Sequence, residues 1–186
     1  MTYHETKKQH VDLSGAHFAG RILDVGGGGE GIISRHSKGR VIAIDKRADE
    51  LAETPDFGTK IVMDACELGF IDEYFDTITC FYTLMYMDLL QIRKFLKEAY
   101  RVSKTGAKFW IWGAVISAPG EASADVFVAQ LEVKISEEQM VTTGYGVEWS
   151  REQSFHTIKN MCEECGFDYE DGAEDEESFF LCFVRR

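Results

Sequence analysis

The feature that most constrains this chain is a run of glycines at the end of a short apolar segment. Arg21-Ile-Leu-Asp-Val25 leads into Gly26-Gly27-Gly28-Gly29-Glu30-Gly31, and Ile32-Ile33-Ser34-Arg35 follows. Branched residues running straight into glycines read as a buried strand, a tight loop and the start of a helix. Glycines there let the backbone approach a ligand closely, while the next helix turns its free amides toward it. Open α/β sheets bind ligands beyond the carboxyl ends of their strands, so the loop marks a candidate site as well as a fold.

The same unit recurs along the chain. Val41-Ile-Ala-Ile-Asp45 and Ile61-Val-Met-Asp64 read as buried strands that each end in an acid, and Phe75-Asp-Thr-Ile-Thr-Cys-Phe81 as a fourth, rich in β-branched and aromatic residues. Over 88–102 apolar residues recur at helical spacing, with Asp88 placed to cap the start and Lys104-Thr-Gly106 to end it. Lys108-Phe-Trp-Ile-Trp112 is a fifth strand. This alternation predicts a doubly wound, Rossmann-like α/β fold, with a mostly parallel seven-stranded sheet and helices on both faces. Residues 126–135 and 139–149 instead alternate apolar with polar positions around Ser136-Glu-Glu138, which predicts a β-hairpin inserted after the fifth strand. A helix over 150–165 and a last apolar strand, Ser178-Phe-Phe-Leu-Cys-Phe-Val184, close the chain. Between them, seven of the ten residues over 168–177 are acidic, which reads as a solvated turn.

With 186 residues, two prolines and no internal repeat, the chain reads as one domain over 1–186. Its parts are a polar lead-in (1–20), a ligand-binding core (21–117), the hairpin (126–149) and a C-terminal helix with strands (150–186). The net charge of −12 disfavours nucleic acid and anionic lipid as partners. There is no apolar stretch long enough to span a bilayer, and residues 1–10 lack the apolar segment of a signal peptide, so a cytoplasmic location is expected. Five irregularly spaced cysteines (Cys66, Cys80, Cys162, Cys165 and Cys182) suit reduced thiols. Cys162-Glu-Glu-Cys165 has the spacing of half a zinc site but no second pair, so packing is expected rather than metal.

The glycine loop alone leaves its ligand open. Gly26-x-Gly28-x-x-Gly31 matches the dinucleotide fingerprint, with Asp45 about 20 residues on where an acid would take a ribose hydroxyl. Leu23-Asp24-Val25-Gly26-Gly27-Gly28, however, also resembles the first motif of the class I S-adenosylmethionine-dependent methyltransferases. The departure is Glu30, where that family usually carries a third glycine, so Gly31 is expected in that role. A carboxylate at Asp24 beside the loop would repel a pyrophosphate and suit a cofactor with a sulfonium and an ammonium.

The resemblance continues through about residues 20–113. It implies that Gly26, Gly27, Gly28 and Asp24 form the cofactor loop. It further implies that Asp45, with Lys46, holds the ribose, that Asp64, with Ala65, meets the adenine, and that Phe81 lines the pocket. The implied reaction is in-line methyl transfer from S-adenosylmethionine, leaving S-adenosylhomocysteine. Tyr82 and Tyr86 are the candidates for acceptor-side chemistry, Tyr86 standing where many relatives carry histidine; Tyr145 and Trp149 are candidates to cover the acceptor. No Asn/Asp-Pro-Pro-aromatic motif follows the fourth strand, which points away from nucleic-acid and protein-amide acceptors and toward a small molecule. A monomer or homodimer is expected. The alternatives are a nicotinamide-dependent oxidoreductase and a protein that binds S-adenosylmethionine without transferring its methyl group.

Overall fold

The computed structural model describes residues 1–120 and 124–186. Its main sheet has seven strands: β3 (Ile22–Val25), β4 (Val41–Asp45), β5 (Thr59–Val62), β6 (Phe75–Phe81), β7 (Ser103–Ala114), β10 (Phe167–Glu174) and β11 (Ser178–Arg185). They lie in the order β10-β11-β7-β6-β3-β4-β5. All pairings from β5 to β7 are parallel, and β11 runs antiparallel to both of its neighbours. The mostly parallel seven-stranded sheet is therefore present. β6 lies at its centre, and β3 beside it is buried along its whole length.

The two faces of this sheet are covered differently. One carries α3 (Leu89–Val102) and α4 (Phe155–Glu164), whose Ile92, Phe95, Leu96, Ile158 and Met161 pack on Phe75, Ile78 and Phe109. α3 starts where expected, because Asp88 accepts from the Gln91 amide and the Gln91 side chain accepts in return from the Asp88 amide. The other face carries the short helices α1 (Ile32–His36) and α2 (Ala48–Glu53) and a second, four-stranded sheet.

That second sheet is built on the expected hairpin, β8 (Val126–Ser136) with β9 (Gln139–Glu148), but it is larger than the sequence predicts. The polar lead-in supplies β1 (Tyr3–Glu5) and β2 (Gln9–Asp12), which pair in parallel with successive stretches of β8. Such edge strands are held by backbone hydrogen bonds and need no apolar periodicity, so their sequence carries little signal. Alternate β8 residues, from Phe127 to Ile135, pack with Phe18, Ile32, Ile33 and Trp112.

Three other boundaries depart from expectation. The acidic run is mostly strand β10: it has one neighbour, bulges between Tyr169 and Asp171, and turns its charges to water on an exposed edge. The third core strand ends at Val62, which leaves Asp64 in the following turn. α4 begins only after Ser154, whose hydroxyl accepts from the Thr157 amide, because Gln153 is already committed to a bridge with Ile116.

Candidate functional site

The loop after β3 is held from beneath and from both sides. The amides of Gly26 and Gly27 both donate to the carbonyl of Ile44, at 2.8 and 3.0 Å, which draws the loop across the end of β4. Gly26 has a φ of +71°, and a Cβ there would lie 2.2 Å from Thr83 Oγ1, which itself donates to the Val25 carbonyl at 2.9 Å. Only glycine fits that position. At Gly28 a Cβ would lie 2.6 Å from Glu50 Cβ and 2.9 Å from Asp45 Oδ2, so the backbone is pressed between α2 and the end of β4.

Asp45 and Asp64 use their carboxylates alike. Asp45 Oδ1 accepts from the Arg47 amide at 2.9 Å, and Asp64 Oδ1 accepts from the Cys66 amide at 2.8 Å. Each acid thus fixes its own turn with one oxygen; the Cys66 thiol also lies against the Asp64 carboxylate, and burial together with that charge pushes the thiol up. Both border a cleft of about 770 Å³ that opens beyond the carboxyl ends of β3, β4 and β6. Gly26, Gly28, Lys46, Ala65 and Phe81 line it as well, with Tyr82, Tyr86 and Tyr145 along its other side.

Three residues expected at the site stand apart from it. Asp24 is 2% exposed, accepts from Thr79 Oγ1 at 2.7 Å and lies beneath Gly27 rather than in the cleft. Burial pushes its carboxyl up to about 7, against the Thr79 hydrogen bond, so near neutrality much of it carries no charge. The electrostatic argument against a pyrophosphate therefore cannot rest on Asp24; on the cleft wall itself the acids Glu30, Asp45 and Glu50 stand beside the cations Arg35, Lys46 and Arg47. Gly27 likewise faces Asp24 and Ala43, where a Cβ would lie 2.5 and 2.9 Å away. Trp149 is remote: its indole donates to the Ser117 carbonyl at 2.9 Å and its ring packs on His4 and Phe127.

The tyrosines divide. Tyr82 is 1% exposed and its hydroxyl donates to Gln9 Oε1 at 2.5 Å, tying the end of β6 to the lead-in. Burial raises its phenol well above the ordinary value, which suits a structural donor. Tyr86 is 44% exposed at the mouth of the cleft. Desolvation, then the charges of Glu50 and Glu30, push its phenol up to about 12. At neutral pH Tyr86 can donate a hydrogen bond but cannot serve as a base.

Sequence reasoning missed Glu50 and Arg35, which border the cleft, and Thr83, which pins the loop. No local pattern singles them out. Glu30 was noticed only as a break in the glycine spacing, yet it ties the loop to the hairpin: Oε1 accepts from Thr143 Oγ1 at 2.5 Å and Oε2 from the Tyr145 hydroxyl at 3.1 Å.

The glycine loop and the acids Asp45 and Asp64 thus border one cleft of a Rossmann-like α/β fold. Residues 23–111 match the model of a family described as a methyltransferase domain. The match spans the glycine loop and both acids and agrees with the resemblance to the class I S-adenosylmethionine-dependent enzymes. No curated protein matches the sequence. Among solved structures, an S-adenosylmethionine-dependent methyltransferase from Methanosarcina mazei aligns with a TM-score of 0.65 at 18% identity, covering 91% of this chain and 93% of that one. One from Mesorhizobium loti aligns at 0.63 and 15%, covering 90% and 92%. The 4+2 cyclase SpnF aligns at 0.64 and 13%, covering 91% and 76%. At such identities these likenesses establish the fold. No helix among the described residues is long and apolar enough to cross a membrane.

Proposed function

We propose that this protein transfers the methyl group of S-adenosylmethionine to a small-molecule acceptor. The observation that carries this reading is the pair Asp45 and Asp64: each is fixed by its own turn and borders the same cleft that Gly26 and Gly28 line. The donor set fits the cofactor. Asp45 would accept from the ribose hydroxyls and Asp64 from the adenine amine, with Ala65 and Phe81 as apolar walls for the base. Bound there, the cofactor would supply an activated methyl on a good leaving group.

The protein's own task is alignment and exclusion of water, which can supply roughly 7 to 11 kcal/mol of the barrier. Tyr145, held by Glu30, would roof the acceptor end of the cleft, and Tyr86 would donate a hydrogen bond at its mouth. Neither tyrosine suits the role of base, so the acceptor atom would reach the site unprotonated or give its proton to a carboxylate. The net charge of −12 supports a small molecule over nucleic acid.

Calorimetry of the purified protein with S-adenosylmethionine and with NAD tests the reading. Saturable binding of the first alone is expected, and binding of NAD alone would replace methyl transfer by an oxidoreductase. Tritiated methyl incorporation then separates catalysis from mere cofactor binding.

A further inference from the structure

Glu30 stands out on charge. Both of its carboxylate oxygens accept from neutral hydroxyls, those of Thr143 and Tyr145, and among the described residues no cation forms an ion pair with it. The cations on the same cleft wall, Arg35, Lys46 and Arg47, do not pair with its carboxylate among the described residues. Arg35 Nε donates to the backbone carbonyl of Glu30 at 2.6 Å, and Arg47 is held by Asp49 at 2.5 Å and Glu50 at 3.1 Å. A half-buried carboxylate with two hydrogen bonds still offers about two lone-pair sites. Leaving it without a positive partner is costly unless a ligand supplies one.

Its position assigns that ligand to the acceptor end. On the methyl-transfer reading Asp45 and Asp64 hold the nucleoside, whereas Glu30 meets the cleft beside Tyr145 and near Tyr86, whose phenol feels the charges of Glu50 and Glu30 and, more weakly, of Asp45. Two aromatic rings around a carboxylate form a surface that attracts a protonated or N–H-bearing nitrogen and repels an anion.

We propose that Glu30 selects the acceptor: the cleft takes molecules that present a basic nitrogen to this carboxylate between Tyr145 and Tyr86, and rejects their anionic counterparts. This rests on the methyl-transfer reading and assigns its substrate class. Glu30 acts here as a specificity residue, held in place by the hairpin that closes over it.

The test uses the whole protein saturated with S-adenosylhomocysteine. Tyramine, phenethylamine and histamine are titrated beside 4-hydroxyphenylacetate, phenylacetate and imidazole-4-acetate, with calorimetry as readout. Amines are expected to bind at least tenfold more tightly than the matching acids. Glu30→Gln should abolish that preference while changing the affinity for S-adenosylhomocysteine less than twofold. Thr143→Val, which removes a hydroxyl contact and no charge, should keep the preference, so loss by mere distortion of the loop would be visible. Equal binding of amines and acids, or no binding of any amine, overturns the inference. So does a Glu30→Gln effect confined to S-adenosylhomocysteine, which would make Glu30 a cofactor contact. If S-adenosylhomocysteine itself fails to bind the unaltered protein, the methyl-transfer reading falls first.

Discussion

The floor and the roof of the cleft are built in opposite ways. On the floor, the two acids are placed by chain within a few residues of them, Asp45 through Arg47 and Asp64 through Cys66, while the glycine loop continues β3 and is pinned by Ile44 and Thr83. In the roof, every tie joins distant segments: Glu30 to Thr143 and Tyr145, Tyr82 to Gln9, and the Thr6 hydroxyl to the Gln130 amide. A floor made of short-range turns should lose single contacts locally. A roof made of long-range ties should respond as a unit, through stability more than through cofactor affinity.

The largest expected effect breaks the join between the two. Gly26→Ala forces a side chain into a left-handed backbone and onto Thr83, and should cost about 3 kcal/mol or more of stability, read as a lower urea midpoint. A loss under about 1 kcal/mol would mean that the loop is free to move away from Thr83.

Next comes the buried acid beneath the floor. The carboxyl of Asp24 titrates near 3.8 when unfolded and near 7 when folded, so between those values the folded protein holds its proton longer. Stability attributable to this group therefore falls as pH rises through about 4 to 7 and is level above it. Asp24→Asn should flatten that slope and raise stability at pH 8 by about 2 to 4 kcal/mol, measured by urea unfolding across pH. An unchanged slope would show that Asp24 is better solvated than its burial implies.

Asp45→Ala sharpens the comparison from the floor side. It should weaken S-adenosylmethionine by about 1 to 3 kcal/mol in calorimetry, through loss of charge-assisted hydrogen bonds, with little change in melting temperature. The smallest effect belongs to the roof. Tyr82→Phe leaves Gln9 Oε1 without its donor and should cost about 1 kcal/mol of stability while cofactor affinity stays the same. A fall in affinity with no fall in stability would reverse the assignment of floor and roof.

Residues that act through local chemistry were legible from the start. The glycine loop, the acids after β4 and β5 and the capped start of α3 each follow from strand periodicity, turn preference or end-capping within a few positions. Trp149 illustrates the opposite case. It sits in a plausible hairpin position, yet its indole is taken by Ser117 and its ring by His4 and Phe127, partners that no local pattern names.

By itself, then, the sequence determined a mostly parallel sheet, the glycine loop and two of the acids that border the cleft, because those depend on neighbours along the chain. Only the tertiary structure decided that Asp24 is buried, that the lead-in is sheet and that Glu30 is clipped to β9. Burial, edge pairing and hydrogen bonding across more than a hundred residues depend on which segments meet, and a chain read in order does not encode that in any short window.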